Sequence, residues 1–186
     1  MKNYKQYLTE VKLSRVFNHF TNPDIPVGVI TTFRKDKPVE DGLRDNKILA
    51  QKLRSAGYGY VWVDGAWKET NEETGEKVDV QEDSILVIGS ENDNDKLYNI
   101  LLENTKKYEQ DGFMFKPEGS TEVFIIDKEG NKDKIASDGK DFKRDKFEYG
   151  YTILRGGGAG KIFSLHEACV EDSGIGRRIK QIRSKK

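Results

Sequence analysis

A single cysteine, Cys169, excludes any internal disulfide framework and fits a reducing compartment or a particle assembled in one. Cys169 itself reads as a small buried hydrophobe. Histidine is nearly as scarce. His19 and His166 stand far apart, and no C-x-x-C or H-E-x-x-H occurs, so the chain carries no zinc motif. No G-x-S-x-G elbow announces Ser-His-Asp chemistry, and no cofactor or metal is expected. No run approaches the roughly 18 apolar residues of a membrane span. The N-terminus lacks the roughly 7–15-residue apolar stretch of a secretory signal.

Charge is plentiful, since Asp, Glu, Lys and Arg make up 34% of the chain, which describes a highly charged surface around one core. At 186 residues the chain suits one domain, large enough to hold together without staples. Net charge is zero but unevenly spread. Ser173 to Lys186 holds six basic residues, including Arg177, Arg178, Lys180 and Arg183, and no acidic one. Such a tail attracts phosphate without sequence preference and in a salt-dependent way. A solvated terminus is the plainer reading. Glu69 to Asp83 is the opposite case, with seven carboxylates and one lysine.

Alternating strand and helix signals fill the body. Asn22-Pro23 ends a first helix carrying Leu13, Val16, Phe17 and Phe20. Pro26 to Phe33 is apolar on both faces and reads as a central strand. Asp41 or Asp45 caps a helix with Ile48, Leu49, Leu53 and Ala56, stopped by Gly57. Tyr58 to Val63 is the next strand, and Asp64-Gly65 carries a hairpin-turn signal that would return the chain through Ala66 and Trp67. Lys68 to Asp79 reads as an acidic excursion. Ser84 to Ile88 resumes as a buried strand. Asn92 or Asp93 then caps a helix with Leu97, Ile100, Leu101 and Tyr108, closing near Asp111-Gly112. Strands are expected at Phe113–Lys116, Glu122–Asp127, Tyr149–Leu154 and Lys161–Leu165, with a loop over Lys132–Lys146. The order predicts a single α/β or α+β domain with helices packed on a mixed β-sheet.

The first ten residues stand apart. On a helix at about 100° per residue, Tyr4, Tyr7, Leu8 and Val11 share one side, roughly half a turn away from the Val16 and Phe20 stripe. One straight helix cannot bury both stripes in one core. So short a helix is also marginal alone in water, because nucleation is costly below roughly 12 residues. Met1-Lys2-Asn3-Tyr4, with Tyr7 and Leu8-Thr9-Glu10, resembles the capsid-targeting sequence of internal head proteins of T-even-type bacteriophages. The resemblance implies a removable leader over 1–10, a partnership with the prohead core, and cleavage after Glu10 by the prohead protease. It leaves a domain over 11–170 and a basic tail over 171–186. Leu101-Leu102-Glu103 and Leu165-His166-Glu167 share the tripeptide pattern, but both fall in segments expected to be folded.

A second resemblance covers about half of the body. Leu13-Ser14-Arg15-Val16, Thr31-Thr32-Phe33-Arg34, Asn46 and Gly57-Tyr58-Gly59 are similar to a family of small bacterial and phage domains of unknown function. This implies a shared fold and no activity.

Within the body, Gly156 to Lys161 invites comparison with a phosphate-binding loop. A P-loop would need glycine where Arg155 stands, and Ser or Thr where Ile162 stands. A hairpin connection is the simpler reading. The remaining candidates for ligand binding are Arg34, Asn46, Glu82 and Ser84, all at expected strand or helix ends, where ligands of α/β sheets gather. The plain alternative for Arg34 is a surface pair with Asp36 or Glu40. Trp62 and Trp67, with Tyr58 and Tyr60, supply either a stacking face or core packing. The resemblance of Met1 to Glu10 implies, as the leading expectation, a phage head-internal protein, stored with DNA and delivered to the host cytoplasm, where it binds and inhibits or alters a host protein. The alternatives are a small cytosolic enzyme acting on a nucleotide or nucleic acid, and a structural component of the capsid interior.

Overall fold

Period-two alternation builds the centre of the fold. In β1 (Val27–Ile30), Val27 and Val29 face one side of a sheet while Ile30 faces the other, so both sides of this strand bury apolar groups. A strand apolar on both faces belongs inside a sheet. β1 lies between β3 (Lys77–Ile88) and β4 (Gly112–Lys116), antiparallel to both. The computed structural model describes residues 15–34, 36–70, 77–136, 142–143, 150–155 and 161–165.

Two helices link the central strands. α2 (Val39–Ser55) joins β1 to β2 (Gly59–Thr70), and α3 (Lys96–Lys107) joins β3 to β4. The resulting order β4-β1-β3-β2 in a β-α-β-β-α-β chain is the split arrangement of ferredoxin-like domains. β5 (Val123–Asp127) and β6 (Lys132–Ala136) widen the sheet beyond β4. On the other side β8 (Gly150–Leu154), β9 (Lys161–Leu165) and the short β7 (Phe142–Lys143) follow β2. Every ladder is antiparallel, so of the two expected classes the domain is α+β, with strand direction narrower than a mixed sheet.

Both faces of the sheet are covered. Leu49, Ala50 and Leu53 of α2 and Leu97 and Leu101 of α3 pack over Ile30, Ile85, Val87, Phe113 and Phe115 on one face. Gly28 lets α3 approach β1 closely, because a Cβ there would lie 2.3 Å from Leu101 Cδ1. On the opposite face a first helix, α1, with residues 15–21 described, lays Val16 and Phe20 against Val27, Val63, Leu86, Val123 and Leu154. Full burial of a side chain such as Phe20 stabilises by roughly 1.5–3 kcal/mol. The Val16 and Phe20 stripe is thus part of the domain core. The leader over 1–10, the Gly156–Gly160 connection and the basic tail lie outside the described residues.

The C-terminus of α2 follows the sequence, and the other ends of α2 and α3 depart from it. α2 ends at Gly57 with φ +92°, where Tyr58 N–H donates to Leu53 O and Gly57 N–H to Arg54 O, closing the last turn. α3 closes the same way, but at Glu109 with φ +53° rather than at Asp111-Gly112. α2 starts after Pro38, ahead of the expected caps Asp41 and Asp45; a proline with its fixed φ opens a helix without a side-chain cap. Ile48 and Ala56 face solvent instead of the core. At α3 the N-cap position is Asp95, with φ +61° and no side-chain cap bond, rather than the expected Asn92 or Asp93, but Asp93 still serves the first turn. Its Oδ2 accepts the Leu97 N–H at 2.7 Å, and its Oδ1 accepts the Tyr58 hydroxyl at 2.8 Å.

The largest departure is at Asp64-Gly65. No turn forms there: β2 runs unbroken through Thr70, with Asp64 opposite Asp83 and Gly65 opposite Glu82. The expected acidic excursion is correspondingly shorter, since Lys68–Thr70 and Lys77–Asp79 are paired strand. β3 and β8 flank Asp64 on both sides, and that tertiary pairing overrides the local turn preference. Likewise Lys132–Ala136, expected as loop, is the edge strand β6, whose charged residues suit a sheet edge.

Candidate functional site

The residues singled out by position separate into two places. Asn46, on the buried side of α2 and 1% exposed, acts as a three-way tie. Its Oδ1 accepts the Thr32 N–H at 3.0 Å and lies 3.0 Å from the Thr32 hydroxyl, and its Nδ2 donates to Asp83 O at 2.8 Å. Thr31 Oγ1 also donates to Asp83 O, at 2.7 Å. Asn46 therefore pins α2 to the end of β1 and to β3. Ser84 is buried next to this tie, and Glu82 is half-buried on the same strand. Arg34 belongs elsewhere. Its guanidinium forks onto Asp36 at 2.8 and 2.7 Å and reaches Glu109 at the end of α3 at 2.5 Å. The Asp36 hydrogen bonds push the Arg34 pKa up and hold the Asp36 carboxyl below the usual carboxylate range. Arg34 is thus a tie between the loop after β1 and α3, with its cation already occupied.

A third group was not singled out by sequence. Asp64 and Asp83, opposite each other on β2 and β3, both pair with the guanidinium of Arg155, which follows β8. The three are separated in sequence and match no motif; only strand register brings them together. A second unanticipated residue is Lys116, fully buried on the α1 face, with Nζ donating to Asn22 O at 2.8 Å and Ser120 O at 3.2 Å. Burial pushes its pKa down to about 8. His19 is also lowered, by burial first and then by Arg15 and Lys116.

Beside the Arg155 cluster the sheet has an opening. β2 pairs with β3 from Gly59 onward, but with β8 only from Val63, the last contact being Arg155 N–H to Trp62 O at 3.4 Å. Along this uncovered stretch runs a groove of about 790 Å³. Tyr60 and Trp62, in edge-to-face contact with centroids 5.8 Å apart, form part of its wall. α2 contributes Leu43, Asn46 and Lys47, and α1 contributes Arg15. Of the four aromatics considered, Tyr58 is instead core, its phenol pushed up by burial and by Asp93, while the Trp67 side chain lies outside the described residues. An aromatic wall beside exposed cations can hold a flat group bearing negative charge. Among the described residues no three His, Cys, Asp or Glu side chains converge as a metal site. No helix among them is long and apolar enough to cross a membrane.

The fold and groove define an α+β ferredoxin-like domain with a ligand-sized opening at one strand edge. No family model and no curated protein matches the chain. Among solved structures it is similar to a phage SAM lyase in complex with S-methyl-5′-thioadenosine, at 14% identity over 70% of this chain and 88% of that one. The TM-score is 0.29, a level at which neither ligand nor reaction transfers.

Proposed function

We propose that the chain is a phage head-internal protein. It enters the prohead core on residues 1–10, is cut after Glu10 by the prohead protease, is stored beside the DNA and is delivered to the host. There its domain acts by binding, inhibiting or altering a host protein. The observation that carries this reading is the leader, with Tyr4, Tyr7 and Leu8-Thr9-Glu10 set ahead of the Val16 and Phe20 stripe that the domain uses for its own core. The position of a competing tripeptide also supports Glu10. Leu101-Leu102-Glu103 lies inside α3, with Leu101 fully buried, where a protease would have to unwind the helix. The basic residues Arg177, Arg178, Lys180 and Arg183 supply weak, salt-sensitive DNA contact during storage.

Mass spectrometry of purified virions tests presence and processing together. The expected product begins at Val11, and Glu10→Ala leaves the chain beginning at Met1. Virions from the unmutated phage that carry only the Met1 form would remove the processing step. Virions that lack the protein would remove the whole reading.

A further inference from the structure

The groove at the open edge of β2 differs from the other polar clusters in having cations to spare. Arg34 is bound by Asp36 and Glu109, and Arg155 by Asp64 and Asp83. Arg15 and Lys47 are exposed, line the groove from α1 and α2, and make no ion pair with another described residue. Lys47 shares the α2 face of the sheet with Tyr60 and Trp62, whose rings are half-buried and held edge to face, whereas Arg15 reaches the groove from the α1 face, around the open edge of β2. Cationic tips and an aromatic flank in one recess recognise a ligand that is aromatic at one end and anionic at the other.

We propose that this groove is a binding site for a nucleoside phosphate, with the base along Tyr60 and Trp62 and the phosphate between Arg15 and Lys47. Size favours a small molecule over a strand. A volume of about 790 Å³ falls in the range of roughly 300–1,000 Å³ typical of small-ligand pockets. A single-stranded nucleic acid takes a track of roughly 4–16 nucleotides per binding fold. Asp83 adds a carboxylate to the lining, although Arg155 engages it. Because Asp64 and Asp83 share that single guanidinium, the cluster keeps one negative charge, which suits a hydrogen bond from a sugar hydroxyl or base amine and sets the phosphate away from it, toward Arg15 and Lys47. The site does not depend on the proposed packaging, because every residue in it belongs to the folded domain.

Calorimetric titration of the full chain tests the site with four probes: AMP, inorganic phosphate, adenosine, and a single-stranded oligonucleotide. AMP is expected to saturate one site and to bind at least about tenfold more tightly than phosphate or adenosine alone, since it engages both halves of the groove. Lys47→Ala and Arg15→Ala should each weaken AMP about fivefold to tenfold, the loss of one charge-assisted contact in a solvated setting. Leu43→Glu, at a helix position 39% exposed, places a carboxylate at the groove and should abolish AMP binding while the melting temperature holds. Failure of AMP to saturate at millimolar concentration would overturn the proposal. So would binding insensitive to Leu43→Glu, or phosphate alone binding as well as AMP. Tighter binding of the oligonucleotide than of AMP would assign the surface to nucleic acid and equally overturn it.

Discussion

Replacing Asn46 by alanine separates a structural tie from a ligand-binding group. The Thr32 N–H is buried and would lose its acceptor; an orphaned buried donor costs about 1–3 kcal/mol. Asp83 O would lose the amide donor but keep the Thr31 hydroxyl, a net loss of about 0.5–1.5 kcal/mol. The Thr32 hydroxyl keeps Gly42 O at 3.0 Å and adds nothing. The expected loss is therefore about 1.5–4.5 kcal/mol, or roughly 3–18 °C in melting temperature for a domain of this size. Asn46→Asp sharpens the test. The carboxylate keeps an acceptor for Thr32 but, when ionised, presents a buried charge to the Asp83 carbonyl; when protonated it can donate there. Its folded-state pKa should be raised, so the variant should be weakest at neutral pH and recover toward the unmutated protein as pH falls through that value. Chemical denaturation across pH measures both. A loss under about 1 kcal/mol for Asn46→Ala, or a pH-independent deficit for Asn46→Asp, would refute the tie.

Two further outcomes follow from burial. With its folded pKa near 8 against a reference of 10.5, Lys116 bears a burial cost while charged in both states below about pH 8. Between the two values the folded chain has shed the proton and the unfolded chain has not. Stability should therefore rise on the order of 1–2 kcal/mol from about pH 8 to 9.5, below the range where the raised Tyr58 phenol acts in the opposite sense. Lys116→Met should flatten that slope, and an unchanged slope in denaturation curves would show that Lys116 is not its source. Gly28→Ala should destabilise by about 1–3 kcal/mol, because the new methyl meets Leu101 Cδ1, and Leu101→Val in the same chain should cost less than the two changes summed. Additive losses in a double-mutant cycle would contradict the contact.

How much of this was legible in the sequence depended on whether the signal was local. Val27 to Ile30 is apolar on both faces and became the centre of the sheet; Gly57 stops α2 with the positive φ its position needs. Asp64-Gly65 misled because a turn preference is a property of two residues, whereas β2 is held straight by partners far away on β3 and β8. Acidic composition hid the alternation of Val78 and Val80 in β3. Among candidate residues, Asn46 was found because the sequence put it beside an expected helix start at Asp45; in α2 it lies mid-helix, and its bonds are structural. Asp64, Asp83 and Arg155 could not be found together, since their proximity depends on register across three strands. Lys116 looked like an ordinary charged strand end, and only α1 and the Ser120 turn closing over it make it buried.

The central position of β1 sets the order in which the chain can fold on the ribosome. Val27 pairs with Ile88 on one edge and Lys116 on the other, so the earliest described strand waits through α2, β2, β3 and α3 before its second edge is covered. At about 5–20 residues per second, on the order of ten seconds separate its synthesis from the arrival of its second partner. During that interval an apolar strand is exposed, with two open edges until β3 is made and one thereafter. Chains terminated between Ile88 and Lys116 would keep one edge permanently open, which makes incomplete translation products, rather than the finished protein, the species prone to aggregate.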